Sequence, residues 1–139
     1  MNNPYDSYKE TQIKTANQGK LIIMLYDGAI KFLKNAKEAL TKNEIEEAHN
    51  KITRAQDIIM ELLLSLNMEA GDIALKLYNL YLYMNKRLME SNVYKTLEPL
   101  EEVLAMLVEL REVWGQVSNI QTPGDEKSLE KNVSVNIST

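Results

Sequence analysis

Helical periodicity is clearest in residues 45–66, IEEAHNKITRAQDIIMELLLSL. Apolar residues recur there at alternating spacings of three and four, which places them on one side of an α-helix. Antiparallel bundle helices pack through stripes of this kind, with knobs of one helix in holes of the next. The stripe consists of Ile45, Ala48, Ile52, Ala55, Ile59, Leu62 and Leu66. This stretch therefore predicts a bundle helix with one buried face.

The flanking sequence predicts three more helices of similar length. Asn17 is a suitable N-cap for the first helix, and Asn43 is a suitable N-cap for the helix of residues 45–66. Short connections make successive helices antiparallel neighbours. The three further helices run from about Gln18 to Leu40, from about Asp72 to Glu90 and from about Thr96 to Val117. We expect an all-α fold, an antiparallel up-down four-helix bundle that occupies residues 17–117.

Two segments lie outside this predicted bundle. Residues 1–16 are polar but contain three apolar anchors, and we expect this N-terminal segment to cover apolar surface of the bundle through Tyr5, Tyr8 and Ile13. Residues 118–139 contain no aromatic residue and few apolar ones, which predicts a disordered, flexible C-terminal tail. Residues 133–137, VSVNI, alternate like a strand, but a single strand is not stable alone.

Composition excludes several classes of protein. The 139 residues suffice for one domain, and the net charge of −4 argues against binding nucleic acid or anionic lipid through charge alone. The absence of cysteine removes disulfides and thiolate metal sites. No apolar run approaches the roughly 18 residues of a membrane helix, and the N-terminus lacks the apolar core of a signal peptide. We expect a cytoplasmic protein that is not an enzyme and uses no cofactor or metal.

The single histidine, His49, has two further interpretations. It ends a Glu-x-x-His step, the ligand unit of di-iron bundles, but those sites need two such units and hence a second histidine. A histidine phosphotransfer domain is also a four-helix bundle with one exposed histidine. That role usually shows a glycine soon after the histidine, and here none occurs before Gly71. We interpret His49 as a solvated surface residue and keep phosphotransfer as the less favoured alternative.

The third and fourth predicted helices are apolar over more of their circumference than a four-helix bundle can bury. On the third helix, a second apolar set beside the core stripe widens the apolar arc to roughly 220°. The fourth helix is apolar except for a strip rich in glutamate. The apolar surface that the bundle cannot bury must be covered by the N-terminal segment, a second copy of the chain or a partner chain. The candidate partner-binding residues on these helices are Leu75, Tyr78, Leu82, Met89, Met106, Val113 and Trp114.

Several short motifs follow one another in a fixed order between residues 3 and 117. Asn3-Pro4-Tyr5 is followed by Tyr8, and then come KLIIMLYDGAI at 20–30, AQDIIMEL at 55–62, LYLYM at 80–84 and ELREVW at 109–114. In this order and spacing, the chain resembles the flagellar secretion chaperones, cytosolic proteins that bind flagellin before export. The Leu-Tyr-Asp-Gly stretch combined with a late Leu-Arg-x-x-Trp is the specific part of the resemblance.

The resemblance implies an antiparallel four-helix bundle that clasps the C-terminal segment of flagellin. That segment is disordered alone and becomes helical as it wraps the bundle. The resemblance also implies that the chaperone's own N-terminal segment occupies part of the hydrophobic groove until the client displaces it, with the family's important tyrosine at Tyr8. The implied mechanism is steric: masking the segment that flagellin needs for polymerisation would keep flagellin secretable, and the complex would then be handed to the flagellar export gate.

We therefore expect a flagellin-specific export chaperone that is a monomer or weak dimer, binds no nucleic acid and does not insert into membranes. The alternative is a helical interaction module that self-associates through its surplus apolar face. One departure from the family pattern is Asn17-Gln18, where relatives often have Ser-Pro or Thr-Pro before the first helix.

Overall fold

The computed structural model describes the backbone of residues 4–117 and the side chains of residues 18–117. Its α-helices are α1 (Pro4–Thr41), α2 (Ile45–Leu64), α3 (Asp72–Tyr94) and α4 (Leu97–Val117), with a short 3-10 turn at Met68–Ala70. Both α1 and α3 pack against α2 and α4, so the helices occupy the corners of a square. The predicted all-α four-helix bundle is confirmed. The predicted tail, residues 118–139, lies outside the described residues.

The first helix is longer than predicted. α1 begins at Pro4 rather than near Gln18, so the predicted N-cap at Asn17 is wrong. Residues 5–18 contain neither proline nor glycine, and proline is itself favoured at the first helical position. With 38 residues against 20 in α2, α1 continues past the end of α2. The predicted cover residues Tyr5, Tyr8 and Ile13 lie in this first part, outside the residues whose side chains are described.

The turn between α1 and α2 differs from its prediction. Asn43 does not cap α2: its φ of 58° places it in the left-handed region, and Glu44 occupies the N-cap position without a side-chain cap. The Asn43 N–H donates to the Leu40 carbonyl and the Glu44 N–H donates to the Ala39 carbonyl. These two bonds form a Schellman motif, which ends a helix on a left-handed residue, a conformation that asparagine tolerates. Asn43 therefore ends α1.

The core is one apolar cluster to which all four helices contribute. The stripe predicted on α2 is buried from Ala48 to Leu62, and only its first residue, Ile45, is exposed. Gly28 lets α1 approach α2 closely, because a Cβ atom there would lie 3.2 Å from Ile58 Cδ1. Within residues 4–117, no helix is both long enough and apolar enough to cross a membrane.

Candidate functional site

α3 exposes large apolar side chains along one flank. Leu75, Leu82 and Met89 are 51%, 43% and 55% exposed, and Tyr78 is half-buried. At about 100° per residue, these side chains fall within an arc of about 60° on the helix. Four of the predicted partner-binding residues therefore share one strip of surface, which we call the α3 strip.

α2 borders the α3 strip. Gln56 Nε2 of α2 donates to the main-chain oxygen of Asn85 at 3.2 Å, and Asn92 Nδ2 lies 2.9 Å from His49 Nδ1 of α2. On the helix circumference, Asn85 and Asn92 lie between the α3 strip and the buried face of α3. The polar contacts to α2 therefore run beneath one edge of the strip.

The same register places an apolar residue of α2 opposite the α3 strip. Because Gln56 meets Asn85 in antiparallel helices, Met60 lies one turn along α2 and level with Leu82. Met60 is 41% exposed. We call the α3 strip together with Met60 the α2–α3 surface. Sequence reasoning missed Met60 because α2 has an apolar face of normal width, and only the position of α3 shows what Met60 adjoins.

The predicted partner-binding residues of α4 lie elsewhere. Val113 is 8% exposed and belongs to the core cluster, while Met106 and Trp114 are half-buried and pack against that cluster. Trp114 also lines a cavity at one end of the bundle. The structure therefore places these three residues with the core, away from the exposed α3 strip.

The opposite flank of α3 is tied to α4 by polar contacts. The Tyr83 hydroxyl donates to Glu102 Oε1 at 2.7 Å, and Arg87 Nε donates to the same oxygen at 2.9 Å. Arg87 Nη1 also donates to Glu90 Oε2 at 2.6 Å. Hydrogen bonds from Tyr83 and Arg87 lower the pKa of the Glu102 carboxyl, and the bond to Glu102 raises the pKa of Tyr83.

A family model described as flagellar protein FliS matches residues 1–121. The chain belongs to the FliS family.

Individual FliS relatives agree with the family model. The chain is 32% identical over 114 residues to the flagellar secretion chaperone FliS of Bacillus subtilis, which covers 82% of this chain and 85% of that protein. It is 35% identical over 111 residues to the flagellar secretion chaperone FliSB of Pseudomonas aeruginosa, covering 79% and 88%. It is 33% identical over 111 residues to FliS of Salmonella typhimurium, covering 78% and 82%. The resemblance inferred from the motifs is confirmed.

A tyrosine pair crosses the centre of this FliS-family bundle. Tyr26 of α1 and Tyr81 of α3 are fully buried, and their hydroxyl oxygens lie 2.5 Å apart. Burial raises the pKa of Tyr26 well above its usual value and raises the pKa of Tyr81 to about 12. Sequence reasoning placed neither tyrosine in the core, although Tyr26 keeps helical spacing with Ile22 and Ala29.

His49 lies on the surface of the FliS-family bundle. It is exposed and contacts Asn92 through its ring nitrogen. Among the side chains of residues 18–117, no cluster of three or more histidine, aspartate or glutamate residues is arranged to hold a metal ion. The interpretation of His49 as a surface residue therefore agrees with its position.

Proposed function

We propose that this protein is a cytoplasmic export chaperone that binds the disordered C-terminal segment of flagellin on the α2–α3 surface. Binding masks the segment that flagellin needs for polymerisation, and the complex is then delivered to the flagellar export apparatus. Membership of the FliS family supports the chaperone role. The proposed position of the binding site is supported by the exposure of the α3 strip and of Met60 beside it.

The physical character of this surface suits an amphipathic helix as its ligand. Leu75, Leu82 and Met89 follow one another along α3 at roughly helical spacing, which is the pattern that helix-in-groove recognition uses. Met60 and Met89 provide flexible, polarizable side chains that adapt to a partner. A segment that is disordered alone gains order by burying its own apolar face against this surface.

The first turns of α1 are the proposed displaceable cover. α1 continues past the end of α2, so these turns extend beyond the neighbouring helix. In the proposed role, residues 1–16 leave the line of α1 and lie on apolar surface through Tyr5, Tyr8 and Ile13. Client and cover then compete for the same surface.

The binding site is tested by a matched pair of variants at neighbouring positions. Leu82 and Tyr83 are 43% and 41% exposed but lie on opposite flanks of α3. Calorimetry with the last ~40 residues of the organism's own flagellin, about two bundle-helix lengths, should show one-to-one binding with a negative heat-capacity change. Leu82→Ser should weaken this binding roughly tenfold, because it removes about 1–2 kcal/mol of apolar burial. Tyr83→Ser should bind as the wild type does.

Three results would contradict the proposal. A folded, monomeric wild type that gives no heat with the flagellin segment has no such client. Equal weakening by both substitutions removes the assignment to the α2–α3 surface. A dimer in sedimentation that Leu82→Ser dissociates, without any binding of the flagellin segment, shows that the surface serves self-association.

The cover is tested separately with Tyr8→Ala. If Tyr8 belongs to a displaceable cover, the substitution changes the affinity for the flagellin segment and leaves the thermal unfolding midpoint close to the wild-type value. A large fall in the midpoint shows instead that Tyr8 is part of the folded bundle.

A further inference from the structure

A cavity of about 550 Å³ opens at one end of the bundle. All four helices meet there: α1 passes the cavity at Gln18, α2 ends beside it, α3 begins beside it and α4 ends at its rim. Apolar side chains form most of the wall, among them Ile22, Leu62, Leu77 and Trp114. The cavity lies on the core-facing side of α3 and is therefore separate from the α3 strip.

The size of the cavity suits a short segment of chain. Protein interiors are close-packed, and the voids that they contain are few and small. A space of 550 Å³ is within the range of sites that hold a ligand of several side chains. Gln18 and Asn67 lie among the lining residues, and the Gln18 side-chain amide and the Asn67 amide nitrogen can hydrogen-bond to the backbone of such a segment. The Ser65 hydroxyl already donates to the Leu62 carbonyl.

The position of Val117 points to the segment that follows α4 as an occupant. Val117 lines the cavity and is the last residue of α4, so the chain that follows starts at the rim. The first apolar residue after it is Ile120, within roughly 10 Å at about 3.3 Å per extended residue. A segment tethered this closely has an effective concentration in the millimolar range. Any untethered occupant has to compete with it.

The distribution of charge and a turn dipeptide indicate where the segment that occupies the cavity ends. Residues 113–124, VWGQVSNIQTPG, carry no charged side chain, whereas the chain continues with Asp125, Glu126 and Lys127. Burying the uncharged stretch therefore requires no desolvation of charge. Pro123-Gly124 is a dipeptide that marks turns. The FliS family model also extends to residue 121, past the end of α4 and through Ile120.

We propose that residues 118–124 turn back over this end cavity and seat Ile120 in it. The chain thereby covers its own apolar cavity with the segment that directly follows α4. An apolar segment of another protein enters the cavity only by displacing residues 118–124. This proposal concerns a surface other than the α2–α3 surface and stands independently of the flagellin client.

The chain contains its own reporter of cavity occupancy. Trp114 is the only tryptophan, and it lines the cavity. Its emission and its quenching by acrylamide are measured without any client and at several protein concentrations. The samples are the full chain, chains ending at Gly124 and at Val117, a chain lacking residues 1–16, and full-length Ile120→Asn. Ile137→Asn in the full chain is the matched control.

The proposal predicts that the full chain, the chain ending at Gly124 and Ile137→Asn give the same emission and the same quenching. The chain ending at Val117 and Ile120→Asn should both give red-shifted emission, stronger quenching and an unchanged helical circular dichroism spectrum. Ile120→Asn keeps the test valid if the chain ending at Val117 fails to fold.

Four outcomes would overturn it. Wild-type emission from Ile120→Asn means that Ile120 does not fill the cavity. An equal shift from Ile137→Asn, or from the chain ending at Gly124, assigns the cavity to the later tail. A shift on deletion of residues 1–16 alone assigns it to the N-terminal segment. Emission that depends on protein concentration assigns it to a second copy.

Discussion

The two flanks of α3 face different neighbours and are completed in different ways. Toward α4, the Tyr83 hydroxyl and the Arg87 guanidinium both donate to Glu102, so side chains of two helices satisfy one another. Toward α2, Leu82 and Met89 are about half exposed. On the flank that faces α4, hydrogen bonds between side chains satisfy the polar groups. On the flank that faces α2, apolar side chains remain exposed beside the polar contacts between the two helices.

This difference separates residues that hold the bundle together from residues available to a partner. A polar network that is internally satisfied offers little to an incoming apolar segment. An apolar strip that remains exposed in the folded chain gains free energy when a partner covers it. The asymmetry of α3 is therefore the physical basis for assigning the client to the α2 side.

The largest effect is expected from a pair of adjacent substitutions on α3. Leu88 is fully buried and Met89 is 55% exposed. Leu88→Ala should lower the free energy of unfolding by about 2–5 kcal/mol, because it leaves a cavity in the core. Met89→Ala should change it by no more than about 0.5 kcal/mol. Chemical denaturation measures both, and equal losses would show that Met89 is a core residue.

The next effect is a loss of stability at alkaline pH. The pKa of Tyr81 is raised from 10.0 to about 12 by burial, so the native state keeps a proton that the unfolded chain releases. The stabilisation is complete below pH 10 and falls as the pH rises towards 12, by about 3 kcal/mol in all. The pKa of Tyr26 is shifted in the same direction. Denaturation at pH 8 and pH 11 should show the loss in the wild type, and it should be smaller in the double variant Tyr26→Phe with Tyr81→Phe.

A smaller effect is expected when one tyrosine of the pair is replaced. Tyr81→Phe leaves the Tyr26 hydroxyl buried without its partner and should cost about 1–3 kcal/mol at neutral pH. Adding Tyr26→Phe removes the unpaired hydroxyl and should recover most of that loss. A double variant less stable than either single variant would mean that the hydroxyl pair itself stabilises the core.

The smallest effect is expected from a substitution on the flank of α3 that faces α4. Tyr83→Phe removes the hydroxyl that donates to Glu102 but keeps the ring. Because this hydrogen bond is exposed, the expected loss is below about 1 kcal/mol, with unchanged affinity for the flagellin segment. Thermal unfolding measures the loss of stability, and calorimetry measures the affinity for the flagellin segment. A clear loss of affinity would place the client on the side of α3 that faces α4.

The periodicity of residues 45–66 was sufficient to predict the bundle, because a buried helical face imposes a 3.6-residue repeat on the sequence. The same logic misplaced helix ends. Pro4 begins α1 because no later residue breaks the helix, and Asn43 ends α1 because its backbone adopts the left-handed conformation. Such local choices depend on backbone geometry that residue type indicates only weakly.

The candidate site could be predicted in part. The surplus arc of α3 identified Leu75, Leu82 and Met89, because residues on one flank of one helix share a face whatever its neighbours are. Met60 and Val113 could not be assigned in this way. Their exposure depends on how α2, α3 and α4 pack against one another. A helical wheel describes one helix at a time and gives no information on that packing.

Binding of the flagellin segment on the α2–α3 surface is tested most directly by methyl NMR of the protein labelled at methionine, titrated with the C-terminal segment of flagellin. Met60 and Met89 lie on the α2–α3 surface, Met24 is 67% exposed on α1, and Met84 is fully buried. If the segment binds there, the signals of Met60 and Met89 shift with a common affinity, while those of Met24 and Met84 stay in place. Shifts at Met24 with Met60 and Met89 unchanged would contradict binding on the α2–α3 surface.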